Sequence, residues 1–529
     1  MFVRTVTTSD RNSEERLPRG LAALVGVAVL VRFLLLVVRR PFWLDEVALV
    51  EPLRGTALVD LPFSGLQGQS APLGFVVLVK IVGNVLGYSE FSLRLTPFLF
   101  SAASVVLSAR IVLRAQTSAF FRFATLLAVS FAPPLLFYSQ ELKPYSADCF
   151  AVLLALCLTA DRDPLDRRGS RWLWLFFLVP LLSTTGGLAL AVLLAWQVTR
   201  EAVVNRGAGV TGLWRPFQVS MSVLRPRLLL TAAALAIQLG YQVVALGSAS
   251  GGLEEYWSNA GGFPGSVSVE YLRWLDQALA NLWAYPFSTA SRVWSSFEMP
   301  TWLGLAAFVL LLALGLRWRV RHVQLFVVIT LTFLGLATLG LYPFHSRLVL
   351  FLVPLQLIAL GSLGERLCER LRLEARFDAL CQPLGPRVVV ALKRAPTCLL
   401  LAGSFVVLAT RSPSDLQTLK SVNSLSPIAE YNRDECLPDG QCSDRLLLID
   451  AQTSTLLRWY SGVSQELEMG GMALAVSSGE ADASTEKVVI FSAHSVGWVG
   501  EASSRFGDSG WVIEQDIWRP GFRLMVLDR

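Results

Sequence analysis

Long apolar stretches recur along the first three quarters of this chain, and they limit its fold more than any other feature. A bilayer core is crossed by about 20 apolar residues in helix. Backbone at that depth must satisfy its own hydrogen bonds, so such runs take helical form. Runs near 21–38, 94–113, 119–138, 145–160, 172–184, 186–200, 228–247, 301–316, 323–341, 348–361 and 397–410 read as eleven spans. Several are short and fit only as members of a bundle. Composition agrees: hydrophobic residues make up 53% and charged residues 16%, where a soluble domain carries roughly a quarter charged. Mean hydropathy is +0.52. A disordered chain is excluded, and a purely soluble enzyme is not expected.

The net charge of +6 does not mark a nucleic-acid binder. Residues 1–410 hold 36 Lys+Arg against 23 Asp+Glu, and residues 411–529 hold 10 against 17. The basic surplus lies between the apolar runs, where it orients a membrane protein. Residues 71–87 are short, apolar and interrupted by Lys80. Left on the outer interface, they put the loops 110–122, 161–171, 201–227, 317–322 and 362–396 in the cytoplasm, with 3, 4, 4, 3 and 7 Lys+Arg. The opposite loops 39–92, 139–144, 248–300 and 342–347 then hold 4, 1, 2 and 1. The positive-inside rule favours this arrangement. It predicts a cytoplasmic N-terminus, with Arg4, Arg11, Arg16 and Arg19 in an uncleaved tail, and an extracytoplasmic C-terminus.

Two domains are expected: a membrane domain over 1–410 and a small outer α/β domain over 411–529. The tail shows short apolar runs at 445–450, 487–493, 511–518 and 523–529, with a helix expected at 453–461. Within loop 248–300, EYLRWLDQALANLW has amphipathic spacing and is expected to lie flat on the outer interface. Cys436 and Cys442 stand in CLPDGQC, as a disulfide in an oxidising compartment or as two free thiols.

Ionisable groups near membrane depth are costly, so they default to functional candidates. PFWLDEVALVEPLRG (41–55) carries Asp45 and Glu46 just after the first span. Asp45 reads as a general base or metal ligand, or else as a helix N-cap with Glu46 solvated. FYSQELKPYSADC (137–149) carries Glu141, Lys143 and Tyr145. The alternative there is that Lys143 and Tyr145 are interface anchors and Glu141 is solvated. Asp148, a turn further on, is a buried polar partner or supports the site indirectly. LYPFHSRLVLFLVPL (341–355) places His345 and Arg347 at an outer mouth; Arg suits bidentate phosphate binding but also anchors at interfaces. Arg39, Arg40, Arg54, Lys80, Arg273 and Arg292 complete the outer cations.

The chain has no Walker loop, GxSxG elbow, HExxH or CxxCH. Its three histidines are scattered. An ATP-driven pump and a zinc protease are therefore not expected. A metal, if bound by Asp45 and Glu141, would be Mg²⁺ or Mn²⁺.

Taken in order, WLDEVAL (43–49), APLGFVVLVKIVGNVLGYSEFSLRLTPFLF (71–100), YSQELKPYS (138–146) and LYPFHSRLVLFLVPL (341–355) resemble the GT-C superfamily of polytopic glycosyltransferases. The likeness is to the bacterial branch of protein mannosyltransferases, aminoarabinose transferases and Rgt-type lipopolysaccharide sugar transferases. It covers about 1–410 and extends loosely to the tail. The resemblance implies a sugar donor on a polyprenyl phosphate, an acceptor that is a glycan, lipid or protein, and transfer at the outer face. It implies Asp45 as the base, Glu46 as its orienting partner, Glu141 as the acid of the second outer loop and Arg347 as a donor-phosphate ligand. Lys143, Tyr145 and His345 join the substrate-binding set, and 71–87 becomes an interfacial helix. Two departures stand out. Ser70-Ala71-Pro72 replaces the Lys that precedes the corresponding Pro in the aminoarabinose branch, and STTGG (183–187) stands where many relatives carry His or Tyr. The alternative function is a transporter or flippase-like protein; paired halves with broken helices would mark one, and none is visible.

Overall fold

The computed structural model describes residues 17–37, 42, 44–63, 69–160, 172–207, 214–246, 257–264, 269–287, 302–371, 445–449, 487–492, 512–519 and 522–528. The predicted span 397–410, the tail helix 453–461, Cys436, Cys442, Arg39, Arg40 and Arg292 lie outside these residues. The chain divides into two compact units: residues 1–37 with 57–404, and residues 38–56 with 405–529. The second unit thus takes in 38–56, part of the stretch that follows α1.

The first unit is helical. Its elements are α1 (Arg19–Val37), α3 (Leu73–Leu86), α4 (Glu90–Ala115), α5 (Ala119–Phe131), α6 (Pro133–Phe137), α7 (Tyr145–Ala160), α8 (Leu175–Leu182), α9 (Thr184–Gly207) and α10 (Trp214–Leu246). They continue with α11 (Val269–Ala284), α12 (Leu303–Arg317), α13 (Arg321–Thr338) and α14 (Leu352–Leu371). The second unit holds α2 (Leu44–Gly55) and the strands β1 (Arg445–Ile449), β2 (Lys487–Ser492), β3 (Val512–Arg519) and β4 (Phe522–Asp528).

Four of the described helices, α1, α4, α10 and α13, are long and apolar enough to cross a membrane, and the bent pair α5–α6 makes a fifth. Further apolar helices of 10–17 residues stand beside them, α7, α9 and α12 among them. The chain is a multi-pass membrane protein. The shorter helices persist by packing: α7 lies against α4 and α9, and α14 against α5 and α13.

Helix ends follow local chemistry. Ser89 caps α4 in a box, its Oγ accepting from Ser92 N (3.2 Å) while Ser92 Oγ accepts from Ser89 N (3.0 Å). α3 stops at Gly87, whose φ of 85° glycine adopts without strain. α5 breaks by 52° into α6 at Pro133, because proline lacks the N–H and restricts the residue before it.

Boundaries shift where the hydrophobic pattern ran out before the helix did. α9 and α10 run on through 201–207 and 214–227, stretches expected as a cytoplasmic loop. α14 begins at Leu352, after a 3₁₀ turn over Ser346–Val349, and continues to Leu371. Polar residues such as Gln356 and Glu365 are buried on α14, so apolarity alone understates its length.

The sheet of the second unit has order β1-β2-β4-β3. β1 pairs with β2 in parallel, and β4 pairs antiparallel with both β2 and β3, with an irregularity between Ile513 and Gln515. All four strands fall on the four apolar runs of the tail.

Candidate functional site

The candidate residues lie in both units. In the second unit, α2 carries Asp45 and Glu46 in its first turn and Arg54 in its last. Carboxylates near a helix N-terminus and a cation near the C-terminus both oppose the helix dipole. The adjacent acids differ: Glu46 is fully buried and Asp45 half-buried. The expectation of a solvated Glu46 is therefore corrected.

In the first unit, the bend at Pro133 swings the chain into a 3₁₀ turn over Tyr138–Gln140. Ser146 Oγ donates to Tyr138 O at 2.7 Å and closes the loop on itself. Lys143 N donates to Glu141 O at 2.7 Å. Glu141, Lys143 and Tyr145 are only 3%, 5% and 7% exposed. The solvated-anchor alternative fails for all three. Lys143 Nζ donates to Gln69 Oε1 at 2.6 Å, which ties the loop to the residues leading into α3. Tyr145 stacks edge-on to Tyr138 at 5.2 Å.

Asp148, on the first turn of α7, accepts from Ser183 Oγ at 2.5 Å, and Ser183 Oγ in turn accepts from Gly186 N at 2.7 Å. Asp148 is therefore a buried polar partner of the STTGG turn. The glycines of that turn are demanded by contact: a Cβ on Gly186 would stand 2.4 Å from Ala151 Cβ. Thr185 Oγ1 reaches Tyr342 OH at 3.2 Å, and Tyr342 OH donates to Leu348 O at 2.8 Å. The turn between α8 and α9 and the segment before α14 are thus hydrogen-bonded.

That segment brings His345 and Arg347 to the same loop. The Arg347 guanidinium carbon lies 5.9 Å from the Tyr145 ring centroid and 5.6 Å from that of Trp257. Trp257 also stacks on His345 at 5.6 Å. Burial, with Arg347 nearby, pushes the His345 imidazole down to about 4, so it is neutral at neutral pH. Burial raises the Tyr285 phenol well above its ordinary range, and the neighbouring Tyr138 adds to this.

The structure thus brings Tyr145, His345 and Arg347 together, with Glu141 and Lys143 on the Tyr145 loop. Arg54 and Arg273 are exposed, and Lys80 is buried with its Nζ over the Tyr88 ring at 5.5 Å. Among the described residues, no group of three or more His, Cys, Asp or Glu gathers to hold a metal.

Sequence reasoning passed over Arg32, Gln69 and Trp257. Arg32 is 1% exposed, donates to Ser101 Oγ (2.9 Å) and Ala28 O (3.0 Å), and offers its own carbonyl to Gln140 Nε2 (3.0 Å). It lines a small cavity with Ser101, Ser104, Ser108, Ser146 and Cys149. Its signal was present, a cation inside the apolar run of α1. Gln69 and Trp257 carry no such mark.

No protein-family model matches the chain, and no curated protein matches it. Two solved structures do. The crystal structure of ArnT from Cupriavidus metallidurans in the apo state superposes with a TM-score of 0.52 at 14% identity, over 96% of this chain and 97% of that one. The structure of the same protein bound to undecaprenyl phosphate gives 0.50, with the same identity and coverage. At this identity the likeness concerns the fold alone: this chain has the fold of that ArnT.

Proposed function

We propose that this chain is a glycosyltransferase that moves a sugar from a polyprenyl-phosphate donor to an acceptor on the outer face of the membrane. The observation carrying the proposal is the GT-C fold, shared over nearly the whole chain with an ArnT whose structure holds undecaprenyl phosphate. The buried loop 138–146 and the guanidinium of Arg347 held against Tyr145 add support.

In the proposed reaction an acceptor hydroxyl attacks the anomeric carbon of the donor sugar. Asp45 takes the hydroxyl proton, and the buried Glu46 orients it. The bond from the anomeric carbon to the phosphate oxygen breaks, and its electron pair leaves with the phosphate. Arg347 stabilises the charge gathering there, with Lys143, Tyr145 and His345 shaping the site and Glu141 fixing its loop. The leaving group is already a phosphate, so no nucleotide site is required. A single displacement inverts the anomeric centre. Dialysis against EDTA tests for a divalent metal: activity lost and then restored by Mg²⁺ or Mn²⁺ would show that the reaction also needs one.

Cells carrying the wild-type chain or Asp45→Asn provide the test. Envelope lipids, glycans and proteins are compared by mass spectrometry for one sugar increment. Loss of a general base costs about 10²–10⁴-fold in rate, so the increment is expected to vanish in the variant. An unchanged increment in Asp45→Asn contradicts the assignment of the base.

A further inference from the structure

The residues around Arg347 include one side chain with no part in the proposed chemistry. Trp257 belongs to the large outer loop, yet it is fastened to the segment before α14 by backbone bonds. Gly262 N donates to Trp257 O at 2.7 Å, and Phe344 N donates to Gly262 O at 2.8 Å. Trp274 Nε1, from α11, donates to Gly261 O at 3.0 Å. Gly261 has φ 76°, a conformation glycine takes freely. A Cβ on Gly262 would lie 2.9 Å from Pro343 Cβ and 3.1 Å from Trp257 O, so the close approach depends on glycine. The turn therefore sets the Trp257 ring in place rather than leaving it on a loose loop.

The result is two aromatic faces on one guanidinium, Trp257 at 5.6 Å and Tyr145 at 5.9 Å. Trp257 comes from the 248–300 loop and Tyr145 from the start of α7, so the grip spans distant parts of the unit. A guanidinium held by its faces hydrogen-bonds in its own plane, where its donors match two phosphate oxygens. Arg also loses much rotamer freedom on being fixed, and a ligand bound by a pre-fixed arginine bears less of that cost.

We infer that Trp257 is a positioning residue: with Tyr145 it holds the Arg347 guanidinium for the phosphate of a polyprenyl-phosphate lipid, and so sets donor affinity. This rests on the proposed function and deepens it. The group required at position 257 is an aromatic face, not merely bulk.

Full-length protein in nanodiscs is titrated with undecaprenyl phosphate as wild type, Trp257→Phe, Trp257→Leu, Arg347→Ala and Trp257→Leu/Arg347→Ala. A cation–π contact of this kind corresponds to about tenfold in affinity. Trp257→Leu is expected to bind about tenfold more weakly, while Trp257→Phe stays within about threefold of wild type. The double variant is expected to bind no more weakly than Arg347→Ala, since the two act as one unit. Leucine is apolar but lacks a π face, and wild-type binding in Trp257→Leu overturns the inference. So does a double variant whose losses simply add. Wild-type protein that takes up no undecaprenyl phosphate overturns the donor proposal and this inference with it, whereas normal wild-type binding with an insensitive Trp257→Leu overturns this inference alone.

Discussion

His345 shows how one half-buried side chain can make a membrane protein sensitive to pH. Its imidazole is lowered from 6.5 to about 4 by burial first and by Arg347 second. Above pH 6.5 folded and unfolded chains both carry it neutral. Between pH 6.5 and 4 the unfolded chain takes a proton that the folded chain refuses, so stability falls across that window as pH falls. His345→Gln is expected to flatten the wild-type decline in thermal midpoint between pH 6.5 and 4; an unchanged slope would show that another group is responsible. The residues that sequence made legible here were those with charge out of place. Asp45, Glu46, Glu141 and Arg347 stand out against an apolar background, and of the two readings open for Asp148 the Ser183 contact favours the buried partner. Arg32 obeys the same rule, but it stands inside an apolar run rather than on a loop. Trp257 and Gln69 were not legible at all: interface tryptophans and loop amides are ordinary, and only the fold brings them to Arg347 and Lys143.

Two joints between helices govern the elements. On α14, Glu365 Oε1 accepts from Thr117 N and Thr117 Oγ1, both at 2.8 Å, and from Ser118 N at 2.5 Å. A carboxylate from α14 thereby satisfies donors leading into α5. Glu365→Ala removes these charge-assisted bonds and is expected to cost about 2 kcal/mol, seen as a lowered thermal midpoint in detergent; an unshifted midpoint would contradict the latch. The second joint is the STTGG turn, where α7 and α9 close to glycine distance. Gly186→Ala overpacks that contact and is expected to cost about 1–3 kcal/mol, a loss that Ala151→Gly in the same chain should partly restore. Sequence periodicity found most of these elements, including the helices over 73–86 and 269–284. It missed the ends of α9, α10 and α14, because a helix can outrun its apolar stripe when buried polar groups such as Glu365 find partners.

At the scale of the molecule, the multi-pass bundle was legible from apolar runs, and the order of the tail strands from short β-branched ones. The pairing of the strands was not: β4 inserts between β2 and β3, and no local pattern dictates which neighbour a strand takes. Orientation remains a proposal founded on charge. With the arginine-rich loops inside, a cysteine placed in the 248–300 loop is expected to react with a membrane-impermeant maleimide in intact cells, and one placed in 161–171 is not; the reverse would invert the chain and separate the candidate site from the outer face. The most direct measurement is the identity of the lipid that copurifies with the protein in mild detergent, read by mass spectrometry beside the Arg347→Ala variant. A polyprenyl phosphate or its sugar-bearing form in the wild type, lost in the variant, is the predicted result. Ordinary phospholipids alone, identical in both proteins even after polyprenyl phosphate is supplied, would contradict a lipid-phosphate donor at Arg347.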